Sequence, residues 1–145
     1  MIKEIHVKDW KSFDEATFYI DPLTILIGAN ASGKSNLLDA LLFFQRISSN
    51  IGISQAINGD LNLAPLRGGF EWVCRKPTKE FTIQAIIEKS EKQDYAYSLS
   101  CIVNDTKAEI CSEKLAVLTY SEKNKIPEEK KLFSTAQDEA LTPKV

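Results

Sequence analysis

Ile5 and Val7 alternate with Glu4, His6 and Lys8, the period-two pattern of a strand with one buried face. Trp10-Lys11-Ser12-Phe13-Asp14 interrupts the alternation, and Ala16, Phe18 and Ile20 resume it, which predicts an antiparallel hairpin. Asp21-Pro22 marks a turn, because Pro supplies no ladder donor and restricts the residue before it. Leu23-Thr24-Ile25-Leu26-Ile27 then places apolar residues on both faces, which predicts a third strand at a sheet centre covered on both sides. Leu37, Leu38, Leu41, Leu42 and Phe44 recur at helical spacing, so Asn36 to Ile47 predicts an amphipathic helix ended by Ser48-Ser49-Asn50 and Gly52. Asp39, Gln45 and Arg46 fall elsewhere on the wheel, and Asp39 is expected on a solvated face.

Between Ile53 and Phe70 the pattern weakens around Asn58-Gly59, Pro65 and Gly68-Gly69, which predicts a loop with at most one short helix. Two clean alternations follow: Phe81, Ile83, Ala85 and Ile87, then Tyr95, Tyr97, Leu99, Cys101 and Val103. A polar turn from Lys89 to Asp94 joins them as a hairpin, and Glu109 to Tyr120 is a less regular third strand. From Ser121 the chain is polar, with Pro127 and Pro143, and reads as a linker or disordered tail. The expected organisation is one unit over 1–120 (a core over 1–57, a loop over 58–80, an antiparallel β-lobe over 81–120) and a tail over 121–145.

The 145 residues suit one domain, and 43% hydrophobic against 26% charged residues is ordinary for a globular fold. The formal net charge of −2, with no basic run longer than Lys130-Lys131, gives no electrostatic footprint for nucleic acid or an anionic membrane. Cys74, Cys101 and Cys111 lack C-x-x-C spacing and His6 is the single histidine, too few partners for a Cys/His zinc site. His6 is expected as an outward strand residue. No stretch reaches the ~20 apolar residues of a membrane span. A cytoplasmic protein without a membrane partner is the expectation.

Gly28-Ala29-Asn30-Ala31-Ser32-Gly33-Lys34-Ser35 carries the chemistry. Two glycines flank four residues and are followed by Lys and Ser, between an apolar run and a helix. Glycines let successive backbone N–H groups turn inward toward phosphate oxygens, and the helix adds its positive end. Lys34 then reaches the β- and γ-phosphates, and the Ser35 hydroxyl ligates Mg²⁺. The expected cofactor-binding residues are therefore Gly28 through Ser35, with Asn36 following, and the expected ligands are ATP and Mg²⁺.

Gly28 to Leu41 resembles the Walker A segment of ABC-type ATPase heads, in particular the RecF/SMC/OLD-like ATPases of DNA repair, chromosome maintenance and anti-phage defence. Trp10-Lys11-Ser12-Phe13 is similar to the N-x-K-S-F segment that joins the first two strands of those heads, and the later meander is similar to their β-lobe. Ala31 departs from the Gly common in SMC and RecF loops and matches the OLD-like members, often classed as AAA-family ATPases. The resemblance implies an α/β fold, the N-terminal lobe of a P-loop NTPase of the ABC-head type with an antiparallel β-meander. It implies contact of Asn30 near the γ-phosphate and of Lys11 with the α-phosphate or ribose; a solvated loop charge is the other reading of Lys11. It also implies a homodimer or a completing C-terminal ATPase half as partner, and DNA through the full assembly.

Hydrolysis needs an acidic strand end to hold the metal and orient water. Cys101-Ile102-Val103-Asn104-Asp105 and Ala85-Ile86-Ile87-Glu88 are better explained as strands running into turns, so no catalytic residue is assigned. Leu66-Arg67-Gly68-Gly69 resembles a signature segment but reads as a tight turn, and Gln137 is a weak Q-loop candidate. The expected protein is thus a nucleotide-binding half-site, an ATPase only when completed. A small P-loop phosphotransferase and a non-enzymatic nucleotide-sensing domain are the alternatives. Asn124-Lys125-Ile126-Pro127 fails as a guanine-reading segment, because Pro stands where Asp must accept the base's hydrogen bonds. Phe13 is expected in the hairpin core rather than beneath adenine, and Tyr95 and Tyr97 in the core, with base stacking as the other reading.

Overall fold

The computed structural model describes residues 1–135. β1 (Ile2–Trp10) and β2 (Phe13–Tyr19) form the expected hairpin, followed by α1 (Lys34–Ser48), α2 (Ile53–Asn58) and α3 (Gly69–Trp72). β3 (Glu80–Ser90), β4 (Gln93–Val103), β5 (Ala108–Ser121) and β6 (Asn124–Ser134) complete a mixed α/β fold. All six strands belong to one antiparallel sheet of order β2-β1-β3-β4-β5-β6. β1 pairs β2 on one side and β3 on the other, with Val7 opposite Ala16 and Ile83. The hairpin and the meander are therefore continuous rather than separate lobes.

One face of the sheet carries the apolar set Ile5, Val7, Phe81, Ile83, Leu99 and Cys101, all fully or almost fully buried. α1 lies on that face with Ala40, Phe43 and Phe44. Trp10 sits at the centre, edge-on to Phe81 at 5.0 Å and tilted to Phe43 at 5.7 Å between ring centroids. Burying each such aromatic stabilises the fold by roughly 2–3 kcal/mol. The indole also donates from Nε1 to the Asn36 carbonyl at 2.9 Å, fixing the start of α1 against the hairpin.

Two expectations fail here. Leu23 to Ile27 belongs to no strand, and Leu23, Ile25 and Ile27 are 80%, 72% and 90% exposed. An apolar run on both faces signals a strand with neighbours on both sides, and the described residues supply neither. Ser121 to Ser134, read as the start of a polar tail, instead ends β5 and forms β6. β6 is an edge strand, and its Glu129 carboxylate forms an ion pair with the Lys114 ammonium of β5; charged side chains suit an edge exposed to water. Residues 136–145, including Gln137, lie outside the described set.

The loop between α1 and β3 holds two short helices rather than one at most. Arg46 pins it: its Nη1 donates to the Ala56 carbonyl at 2.7 Å and its Nη2 to the Ala64 carbonyl at 2.9 Å. Ser54 joins α2 to the start of β5 through the Ala108 amide at 2.8 Å. None of the helices among the described residues is long and apolar enough to cross a membrane.

Candidate functional site

The loop from Gly28 to Gly33 turns back on itself before α1. The Ser32 amide donates to the Ala29 carbonyl at 3.2 Å, and Ala31 and Gly33 lie in the left-handed region at φ 66° and 92°. Ala31, not Asn30, takes the conformation that favours glycine, at a cost of about 1 kcal/mol. Gly33 is constrained twice, because a Cβ there would come within 2.6 Å of the Phe13 ring. Phe13 itself is half-buried and packs edge-on to Phe18, as expected of a hairpin core residue. At Gly28 a Cβ would come within 2.7 Å of Ser32 Oγ. Both glycines thus permit the close folding that a phosphate-cradling loop needs.

Asn36 and Leu37 are the first helical amides to bond back, both to the Gly33 carbonyl at 3.0 and 3.1 Å. The amides of Lys34 and Ser35 therefore stand ahead of the helical ladder. No side chain caps this end and no acidic residue occupies the first turn, so nothing competes with an anion for the positive end of the helix. The Lys34 ammonium leans over the loop, donating to the carbonyls of Gly28 and Ala29, the latter at 2.7 Å, and to Ser32 Oγ at 3.1 Å. A hollow of about 310 Å³ opens here, lined by Ser12, residues 30–36 and Arg67. Its lining includes two cationic side chains, several hydroxyls and amides, and no carboxylate.

The hairpin turn is joined to this helix end. Asn36 Nδ2 donates to Ser12 Oγ at 2.6 Å, and Asn36 Oδ1 accepts from Arg67 Nη2 at 3.2 Å. Asp39 is buried rather than solvated, correcting the sequence expectation. Its Oδ2 lies 3.0 Å from Lys11 Nζ and 2.7 Å from Arg67 Nη2. Lys11, at φ 52° in the turn, also donates to the Arg67 carbonyl at 2.7 Å, and its side chain is 6% exposed. Lys11 is therefore not a solvated loop charge. Burial lowers its pKa, and the Asp39 carboxylate partly opposes that shift.

Arg67 is the residue that the sequence reading missed. Leu66-Arg67-Gly68-Gly69 does form the expected tight turn, closed by the Gly69 amide on the Leu66 carbonyl at 2.8 Å, with Gly68 at φ 81°. With Leu66 buried beneath, the turn delivers the guanidinium to the loop. The available signal was Asn36 and Asp39, two polar acceptors about one helical turn apart just beyond Ser35, where a cation can bridge.

The remaining candidates lie elsewhere. His6 sits on β1 between Thr17 Oγ1 at 2.8 Å and Glu15 at 3.0 Å, an outward strand position as expected. Tyr97 packs edge-on to Phe44 and donates to Glu113 at 2.7 Å; burial, then that carboxylate, push its pKa up. Tyr95 sits on β4 under the Lys89 ammonium, 5.5 Å from its ring centroid. Among the described residues, no group of three or more His, Cys, Asp or Glu side chains could hold a metal ion. Ser35 can supply one oxygen to Mg²⁺, a cation that ordinarily takes its other ligands from phosphates and water.

The chain is 44% identical over 54 residues to the chromosome partition protein Smc of a Synechococcus species, covering 36% of this chain and 4% of that protein. It thus spans a small fraction of the length of that relative. The AAA ATPase domain family model matches residues 1–142. This match covers nearly the whole sequence, and the chain belongs to the AAA ATPase domain family.

Proposed function

We propose that the chain is the ATP-binding part of a RecF/SMC/OLD-like ATPase head, with Gly28 to Asn36 holding the triphosphate and Ser35 contributing to Mg²⁺. The observation that carries this reading is the loop–helix junction, where the uncapped amides of α1, Lys34 and the Asp39-paired Arg67 line a hollow whose walls include no carboxylate. Chemically it is a site for polyanion binding and charge neutralisation. Mg²⁺ would add charge on the phosphate oxygens. The hollow has no carboxylate to orient an attacking water, so this piece binds but does not cleave.

Leu23 to Ile27 supports the same conclusion from a different direction. It is an apolar, unpaired stretch leading directly into the loop. Exposed Leu38 and Leu42 lie on α1 just beyond that loop. A strand added parallel to Leu23–Ile27 would end at the level of the loop, where ligands bind in open α/β sheets. An acidic residue at the end of that strand would complete the hydrolytic site. A C-terminal half of the ATPase, in the same or another polypeptide, is the proposed source, with a homodimer and DNA engaged only by the full assembly.

Titration with fluorescent ATP and GTP, with and without Mg²⁺, beside a phosphate-release assay, tests this. The expected result is weak adenine-nucleotide binding, lost in Lys34→Ala, with no turnover above background. Robust turnover by this chain refutes the half-site. Unchanged ATP binding by Lys34→Ala refutes the phosphate loop.

A further inference from the structure

Next to the loop hollow lies a second hollow of about 460 Å³, which shares Ser12, Asn36 and Arg67 with it. The remaining wall includes Lys11, Trp72 and Lys76. Trp72 is 54% exposed, in a chain whose other tryptophan, Trp10, is fully buried. An indole left in water at the wall of a cavity forgoes the burial that tryptophan ordinarily gains.

Two features hold it there. The Lys76 ammonium lies 4.7 Å from the indole centroid, a cation–π contact that secures the ring from one face. On the backbone side, the left-handed turn at Gly68 brings that residue against the start of the indole, where an added Cβ would come within 2.6 Å of Trp72 Cβ. Arg67, one residue earlier in that turn, reaches Asn36 and Asp39 on α1. One turn therefore places a guanidinium that lines both hollows beside an aromatic ring that lines the second.

We infer that the second hollow receives the nucleoside end of the nucleotide whose phosphates sit at Gly28–Ser35, with the base stacked on Trp72. This inference rests on the phosphate-loop reading and extends it to a side chain that the loop pattern does not contain. Every base has a π-face, so stacking supplies affinity without selecting the base. Ser12, at the shared wall, offers its hydroxyl where the sugar would pass. Lys11 is held by Asp39 and the Arg67 carbonyl, so it serves as fixed wall rather than as a mobile phosphate ligand.

The test compares ATP with inorganic tripolyphosphate on the full chain by calorimetric titration, using wild type, Trp72→Ala, Trp72→Phe and Lys34→Ala. The expected result is that Trp72→Ala weakens ATP about tenfold and leaves tripolyphosphate within about twofold, while Trp72→Phe restores most of the ATP affinity. Binding of ATP should also quench the emission of Trp72. Unchanged ATP affinity in Trp72→Ala, or an equal loss for both ligands, overturns the stacking role while leaving the phosphate site standing. Failure of wild type to bind tripolyphosphate, or equal binding by Lys34→Ala, overturns the phosphate site itself and this inference with it.

Discussion

Replacing Asp39 with Asn tests whether the buried ion cluster beneath the loop is structural. Asp39 Oδ2 lies 3.0 Å from a Lys11 ammonium whose side chain is only 6% exposed. At an effective dielectric constant of about 20, that pair is worth roughly 5–6 kcal/mol before desolvation is subtracted. The arm to Arg67 adds at most about 1 kcal/mol, because that side chain is 59% exposed and can rehydrate. Removing the carboxylate leaves the Lys11 charge buried, with the Arg67 carbonyl as its acceptor and a guanidinium nearby. Breaking a buried pair on one side costs about 3–5 kcal/mol, and the flexible lysine stem recovers part of that by reaching for water. We therefore expect Asp39→Asn to destabilise by about 2–3 kcal/mol, read as a lower urea midpoint with an unchanged slope. Lys11→Met should relieve much of the loss, with a coupling of at least about 1 kcal/mol in the double-mutant cycle. A loss below about 0.5 kcal/mol, normal for a surface position, would refute the argument.

Other substitutions probe neighbouring features. Gly33→Ala should destabilise by about 1–3 kcal/mol and weaken nucleotide binding, because it forces a Cβ onto φ 92° and into the Phe13 ring; thermal melts and ATP titration check both effects. Ala31→Gly should raise stability by about 0.5–1 kcal/mol, since φ 66° is strained for alanine, and an unchanged melt would contradict that backbone conformation. Ile25→Lys should leave the melting temperature within about 1 °C while reducing concentration-dependent light scattering, whereas a large loss would mean that residue 25 is packed. Burial pushes the Cys74 thiol from 9.0 up to about 11, so the folded state keeps its proton longer than the unfolded one. Its stabilising contribution is complete below pH 9 and is lost as pH rises toward about 11; melts over that window should fall less steeply in Cys74→Ala.

The hairpin, α1 and the three-stranded meander were legible because each buries one face against the same core, leaving a period of two or 3.6 in the residues themselves. The segment proposed as a phosphate loop stands out in the sequence because that chemistry would fix residue types at adjacent positions. Leu23 to Ile27 misled for the converse reason: its composition specifies neighbours that the described residues do not include. β6 was hidden by its place at the sheet edge, where Lys and Glu replace apolar residues and alternation fades. Asp39 and Arg67 were hidden by distance, since a contact across 28 positions leaves no local periodicity. Within the loop the left-handed conformation falls on Ala31 as well as Gly33, a choice made by loop closure rather than by side-chain preference.

The pairing of β1 on both of its edges limits how this fold can be divided. A cut after α1 would keep the loop and its helix but remove β3, stripping β1 of a ladder and Phe43 and Trp10 of their shared partner Phe81. The loop and the first amides of α1 would then have no platform to hold them in place. Dissection into a minimal loop peptide should fail for mechanical reasons, and the shortest folded unit must run past the second hairpin.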